Sequence, residues 1–268
     1  MRPKRSLGQN FLTNPHVVNK IIAFADVCQR DSVLEIGSGR GIMTAALAKA
    51  VARVTAVEKD DDLAGFLAEE YAVDTRIRIV HGDIMELDLE TLAPAGSKLV
   101  ANLPYNIATA VILKLVEIPQ HYASITVMVQ KEVALRICAA KGSRDYAALS
   151  VLAGANFKTV PGFLVGPANF APRPKIDSMV IKLIPREVTI TAEDLRHLKT
   201  VIFGAFGQRR KMLRNTWSGL PGMTPELLND LAGQAGIDLS RRPQDLTIEE
   251  FKRFSAFYQS TDQSDAAP

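Results

Sequence analysis

The chain has 268 residues, 47% hydrophobic and 23% charged, and 32 Lys and Arg against 29 Asp and Glu leave a net charge of +3. This composition excludes a disordered or low-complexity chain and suits one large domain with a small one beside it. Cys28 and Cys138 have neither CxxC nor His/Cys ligand spacing, so neither a disulfide framework nor a metal site is expected, and the lack of a span-length apolar run or signal segment predicts a cytoplasmic protein with no membrane partner.

The N-terminal stretch Ser6 to Asn14 precedes a predicted helix from Pro15 to Ala25, with Asn14 as its cap and Pro15 at the first helical position. Phe11 and Leu12 are apolar among polar neighbours and read as staples of an otherwise flexible tail. Ser32 to Ile36 is a β-type run, followed by Gly37-Ser-Gly-Arg-Gly41 and a helix-forming stretch from Ile42 to Ala50. Strand, glycine turn and helix form the first βα unit of a nucleotide-binding sheet. A dinucleotide fingerprint would place its third glycine at position 42, where this chain has Ile42, with the glycine at Gly41 instead. The tight G-x-G-x-G spacing is the pattern of methyltransferases that bind S-adenosylmethionine.

The next strand, Arg53 to Val57, delivers Glu58 at its carboxyl end, placed to accept hydrogen bonds from both ribose hydroxyls of an adenosyl ligand. Helix Asp61 to Tyr71 and strand Arg76 to His81 repeat the layout and end at Gly82-Asp83, where Asp83 can accept from an adenine amino group. A fourth apolar run, Leu99 to Ala101, stops at Asn102 before Pro104, which cannot continue a strand ladder. Ligands of open α/β sheets bind outside the carboxyl ends of strands, so Asn102, the Leu103 carbonyl and Tyr105 would line a crevice there. Two acceptors and an aromatic ring suit a planar, amino-bearing base; the plainer alternative is a strand-to-helix turn with an Asn cap and a packing Tyr.

A helix from Ile107 to Val116 and a strand from Ile125 to Gln130 follow, then strands around Asn156 to Val165 and Met179 to Leu183. Between these last two lies a proline-rich loop containing Phe170, which reads either as a hydrophobic plug or as a second stacking wall opposite Tyr105. Beyond Pro185-Arg186 the pattern becomes helical, with starts at Thr191, Thr224 and Thr247. The expected division is therefore 1–186, a nucleotide-binding α/β domain, and 187–268, a helical domain whose tail from Ser260 is disordered. No acidic residue occurs from Leu195 to Pro225, a stretch that holds Arg209, Arg210, Lys211 and Arg214. With Arg214 three residues beyond Lys211 on one helical face, these four are expected to meet phosphates; the plainer alternative is a solvated basic face.

Taken together, Gly8-Gln-Asn-Phe-Leu, Glu35-Ile-Gly-Ser-Gly-Arg-Gly, Asn102-Leu-Pro-Tyr, Phe170-x-Pro-x-Pro-Lys and Phe206-Gly-Gln-Arg-Arg-Lys-Met-Leu-Arg make the chain resemble the KsgA-type ribosomal RNA adenine dimethyltransferases. The resemblance spans nearly the whole chain, with the motifs in the family's order. It implies a Rossmann-like S-adenosylmethionine-dependent methyltransferase sheet with a small all-helical C-terminal domain. It also implies transfer of methyl groups to N6 of two adjacent adenines near the 3′ end of small-subunit (16S) rRNA. By motif, Asn10, Leu12, Gly37, Glu58, Asp83 and Asn102 would contact the cofactor, while Asn102, Leu103 and Tyr105 handle the target base with help from Phe170. The implied substrate is the rRNA within a partly assembled 30S particle, met by a monomer that also serves small-subunit assembly. Ser38 departs from the family's usual proline, which predicts a somewhat looser turn. Rival readings are a large-subunit rRNA methyltransferase, a non-catalytic RNA-binding assembly factor and, more distantly, a dinucleotide-dependent oxidoreductase.

Overall fold

A computed structural model describes residue 4, residues 8–187 and residues 190–264, the last three of these for the backbone alone. Two compact units emerge, Met1–Ala134 with Phe157–Arg186, and Leu135–Asn156 with Glu187–Pro268. The second unit thus begins its C-terminal part where the helical pattern begins in sequence, but it also takes in a segment expected in the α/β domain.

The first unit is built on a seven-stranded sheet. Strands β2 (Ser32–Ile36), β3 (Arg53–Glu58), β4 (Ile77–His81), β5 (Ser97–Asn102) and β6 (Tyr122–Gln130) are parallel; β9 (Ser178–Pro185) runs antiparallel to β6, and β7 (Phe157–Val165) antiparallel to β9. The order is β4-β3-β2-β5-β6-β9-β7. Parallel neighbours require crossovers, supplied by α2 (Ile42–Ala50), α3 (Asp61–Glu70), α4 (Leu89–Leu92) and α5 (Ala108–Glu117). From β2 the chain winds first toward β4 and then returns to β5 on the other side. The gap between the carboxyl ends of β2 and β5 is therefore the topological switch point, where ligands of such sheets bind.

The helices form where the sequence signals them. Asn14 Oδ1 accepts from the His16 N–H ahead of α1 (Pro15–Ala25), and Asp60 caps α3 through the Asp62 and Leu63 N–H groups. Val18 and Ile21 of α1 and Met43 and Leu47 of α2 are buried against Val54, Ala56, Val100 and Met128 of the sheet. On α5, Val111, Ile112 and Leu115 are fully buried, their three- and four-residue spacing placing them on one helical face. One element escaped the sequence: β1 (Phe11–Leu12) pairs antiparallel with β8 (Phe170–Ala171), so Phe11 and Leu12 belong to a two-stranded ribbon rather than to a stapled tail.

The second unit is helical: α7 (Ala148–Asn156), α8 (Ala192–Phe206), α9 (Leu213–Trp217), α10 (Pro225–Ala235) and α11 (Ile248–Ser264), preceded by the end of α6 (Lys131–Cys138). Its core centres on the fully buried Trp217, which stacks on Phe254 with centroids 3.8 Å apart and donates from Nε1 to the Val201 carbonyl at 3.0 Å. The tail expected from Ser260 is helical as far as Ser264, and residues 265–268 lie outside the described residues.

Candidate active site

A crevice of about 900 Å³, part of it open to solvent, lies in the first unit at the carboxyl ends of β2 to β5. The glycine turn after β2 forms its floor. Gly37 and Gly39 have φ of 75° and 57°, in the left-handed region. A Cβ on Gly39 would lie 2.9 Å from the Phe11 ring, so this turn and the N-terminal strand close on each other only because the side chain is missing. Ser38 does not loosen the turn as expected from the absent proline. Its N–H donates to the Val57 carbonyl at 3.3 Å beside the Gly37 N–H at 2.9 Å, a bond that proline could not make.

Glu58 is buried at the end of β3, and three backbone N–H groups hold its carboxylate: Gly39 at 2.7 Å on one oxygen, Lys59 and Asp60 at 2.9 Å on the other. The glycine turn and the acidic residue expected to bind ribose are thus one hydrogen-bonded assembly. Asp83 accepts from Lys59 Nζ at 2.5 Å and from the Met85 N–H at 2.9 Å. The Lys59 ammonium, and then the Met85 amide, hold its carboxyl below the usual range, so it stays an acceptor at neutral pH.

At the end of β5, Asn102 donates from Nδ2 to the Asn10 carbonyl at 3.4 Å, which leaves its acceptor, Oδ1, for a ligand. Leu103 is buried and its N–H donates to the Met128 carbonyl at 3.1 Å, which anchors the backbone on the strand side of Leu103, while Pro104 restricts it on the side of the Leu103 carbonyl, the second acceptor. The Tyr105 hydroxyl and Ser178 Oγ are 2.6 Å apart, which pins the ring, and burial raises the phenol's pKa. Asn102, Leu103 and Tyr105 therefore meet in one wall of the crevice, together with Asn10, Gly37, Glu58 and Asp83.

Two expected site residues stand elsewhere. Leu12 and Phe170 face each other in the β1–β8 ladder and are buried in the hydrophobic cluster with Val165 and Met128; neither lines the crevice. Ladder pairing turns both apolar side chains toward the core, so of the two readings of Phe170 the plug is the one seen. Sequence reasoning missed Lys59, the partner of Asp83, and Gln9, whose Nε2 donates to Asp60 at 2.9 Å and so ties the N-terminal segment to the start of α3. Only the position of Lys59 directly after Glu58 offered a hint.

A family model described as ribosomal RNA adenine dimethylase matches residues 1–259. The chain belongs to the ribosomal RNA adenine dimethylase family. Among its relatives, ribosomal RNA small subunit methyltransferase A of Geobacter metallireducens is 37% identical over 95% of both chains, and that of Brucella canis 42% identical over 94% of this chain and 91% of its own. Among solved structures, a dimethyladenosine transferase from Plasmodium falciparum superposes with a TM-score of 0.79 at 23% identity, covering 94% of this chain and 98% of that one. The 23S rRNA methyltransferase ErmE gives 0.68 at 23% identity over 93% and 100%.

As a member of this family the chain is an S-adenosylmethionine-dependent rRNA methyltransferase, and the crevice fits that cofactor. Two carboxylates, Glu58 and Asp83, line it beside the glycine turn, as an adenosyl ligand with its ribose hydroxyls and amino group requires of its acceptors. Elsewhere the basic cluster departs from the expected geometry. Helix α8 stops at Phe206 and Lys211 lies in the turn before α9, so Lys211 and Arg214 do not share a helical face. Gly207 sits at this break. All four basic side chains are exposed; Arg209 also donates to the Arg144 carbonyl. Among the described residues no helix is long and apolar enough to cross a membrane.

Proposed function

We propose that this dimethylase acts on N6 of two adjacent adenines near the 3′ end of small-subunit rRNA, methylating each twice, and that Asn102, Leu103 and Tyr105 hold the base. The observation that carries the reading is the wall at the end of β5, where an amide with an uncommitted acceptor stands beside the Leu103 carbonyl and an anchored aromatic ring. The small-subunit relatives support the substrate; the substrate state we favour is the partly assembled 30S particle, met in the cytoplasm by a monomer, and a role in assembly fits the same encounter.

The adenine amino nitrogen is a poor nucleophile because its lone pair is delocalised into the ring, and the cofactor supplies a methyl already activated on sulfonium. What the protein adds is placement. Asn102 Oδ1 and the Leu103 carbonyl accept the two amino hydrogens, which draws N6 toward a tetrahedral shape and aims its lone pair. Alignment of this kind lowers barriers by about 7–11 kcal/mol in favourable cases. Tyr105 takes the face of the extruded base and suits the positive charge that develops on N6. N6 loses one proton for each methyl it gains, and solvent accepts it: Glu58 is held by backbone amides, Asp83 by Lys59, and the phenol of Tyr105 stays protonated. Glu58 and the Gly37 turn would hold the ribose side of the cofactor and Asp83 its adenine, with Asn10 closing over it. The exposed Arg209, Arg210, Lys211 and Arg214 would meet phosphates.

Methyl transfer from labelled S-adenosylmethionine to unmodified small subunits, large subunits and naked rRNA, with nucleoside analysis, tests the assignment. Dimethyladenosine confined to the small subunit is expected; product on large subunits would replace the substrate, and particle binding without transfer would make the chain an assembly factor. Asn102→Ala should lower the transfer rate about 100-fold while particle affinity holds. Equal loss of both would remove Asn102 from the chemistry.

A further inference from the structure

A second cavity of the first unit, about 1030 Å³ and open to solvent, lies at the opposite ends of the strands from the crevice. Its origin is topological. Both faces of a parallel sheet are ordinarily covered by crossover helices, and the strands read as apolar runs. Here the crossover from β4 to β5 carries only the four-residue α4, and the amino ends of β3 and β4 alternate instead. Val54, Ala56 and Ile77 point into the core cluster, while Arg53, Thr55 and Arg78 point the other way.

Register gathers these polar residues on one face. Ser32 pairs with Arg53 across β2 and β3, and Thr55 with Arg78 across β3 and β4. Thr91 lines the cavity from α4. Arg76, at the rim, is already engaged by Asp74 and by the Ala48 carbonyl. Arg53 and Arg78 are exposed, and neither guanidinium has a carboxylate or other side-chain partner among the described residues. The one carboxylate on the wall, Glu90, lies 3.9 Å from His121. Two uncommitted guanidinium forks flanked by Ser and Thr hydroxyls are donors for phosphate oxygens, and such forks on a sheet face that lacks its covering helix are not serving the fold.

We infer that the groove lined by Arg53, Arg78, Thr55 and Ser32 is a second RNA-binding site, which takes backbone phosphates of a helix other than the one that presents the target adenine. Arg53 and Glu58 stand at opposite ends of β3, and at about 3.3 Å per residue the groove lies roughly 17 Å from the crevice. The two open at opposite ends of the strands, so an RNA helix seated at the crevice does not face the groove, whereas a folded rRNA with neighbouring helices can supply both. The site carries no base readout, so its contribution is affinity and orientation, with strong salt dependence. This inference rests on rRNA being the substrate.

The test is the double variant Arg53→Ala/Arg78→Ala, both substitutions on the exposed face, with Arg53→Lys/Arg78→Lys as the charge-keeping control. Affinity for unmethylated small subunits and for a short duplex RNA is measured across a salt series, with S-adenosylmethionine affinity alongside as a measure of fold. The Ala pair should reduce the slope of log affinity against log salt by about 1.5 to 2 on both RNAs and leave cofactor affinity unchanged, while the Lys pair keeps most of the slope. An unchanged slope on both RNAs with intact cofactor binding overturns the site. If the slope falls as expected but the wild type leaves small subunits unmethylated, the groove stands and the substrate assignment fails.

Discussion

Glu35 is a carboxyl with no access to water, at the end of β2 and one residue before Ile36 and the glycine turn. One oxygen accepts from Thr44 Oγ1 at 2.6 Å, in the first turn of α2, and the other has no partner among the described residues. Burial pushes its pKa up to about 8; the Thr44 bond opposes this, and the nearby charge of Glu58 adds to it. At neutral pH the residue is therefore largely protonated in the fold but ionised in the unfolded chain. Between the ordinary glutamate range and about 8 the folded state binds the extra proton, so stability falls as pH rises through that window and levels off above it. The loss is on the order of 5 kcal/mol at most. Glu35→Gln keeps the acceptor for Thr44 and removes the titration, so its stability should be flat where the wild type declines. Denaturant melts at pH 5.5, 7 and 8.5 would decide it: a wild type that loses no more than the variant would mean that Glu35 is neutral for another reason or charged throughout. Its place as the first residue of Glu35-Ile-Gly-Ser-Gly was plain in sequence, whereas its lack of charge was not, because that depends on burial which only the folded sheet provides.

Among the elements, those with a local period were legible and those made by distant pairing were not. Strand β2 and helices α1 and α2 fall on their expected bounds, since alternation, the Asn14 cap and the glycine turn are written within a few residues. The acceptors Glu58, Asp83 and Asn102 followed from the same logic, each being a polar residue at or just past the carboxyl end of a strand. The β1–β8 ribbon has no such signature: two residues of strand have no measurable period, and their partners lie in a proline-rich loop far along the chain. The role of Phe170 depends on that ribbon. Because Phe170 is buried opposite Leu12, volume and apolarity are what the position uses, so Phe170→Leu should keep cofactor affinity and methyl transfer within a few-fold of wild type. Phe170→Ala leaves a cavity and should cost about 3–5 kcal/mol of stability. Transfer rates and thermal melts of the pair separate the two roles. A Leu variant with normal stability and lost transfer would restore Phe170 as a stacking wall, reached by a movement of β8.

For the whole molecule, the open question is where the second unit begins. Reading the change from α/β to helical pattern puts the boundary at Glu187, which groups α7 with the sheet. Helix α7 argues otherwise through its burial. From Leu149 to Asn156 every residue is buried, so the segment reads as apolar all round and gives no face by which sequence could assign a neighbour. Its partners come from the C-terminal half. A Cβ on Gly154 would lie 2.5 Å from Ile248 Cδ1 of α11, and Asn156 Oδ1 accepts from the Ile190 N–H at 3.2 Å. The Tyr146 hydroxyl, just ahead of α7, donates to the Leu246 carbonyl at 3.0 Å. A chain ended at Arg186 would therefore expose Leu149, Val151 and Leu152, each worth about 1.5–3 kcal/mol of burial, and remove the Leu246 carbonyl from the Tyr146 hydroxyl and the Ile190 N–H from Asn156 Oδ1. Such a chain should aggregate or bind a hydrophobic dye. One that also replaces Leu135–Asn156 with a short Gly-Ser linker should stay soluble and bind S-adenosylmethionine, because every residue of the crevice wall lies in the first unit. Gel filtration and cofactor titration of the two shortened chains decide between the boundaries. If the chain ended at Arg186 is monomeric and binds cofactor as well as the linker version, α7 stands without its C-terminal partners and the boundary belongs at Glu187.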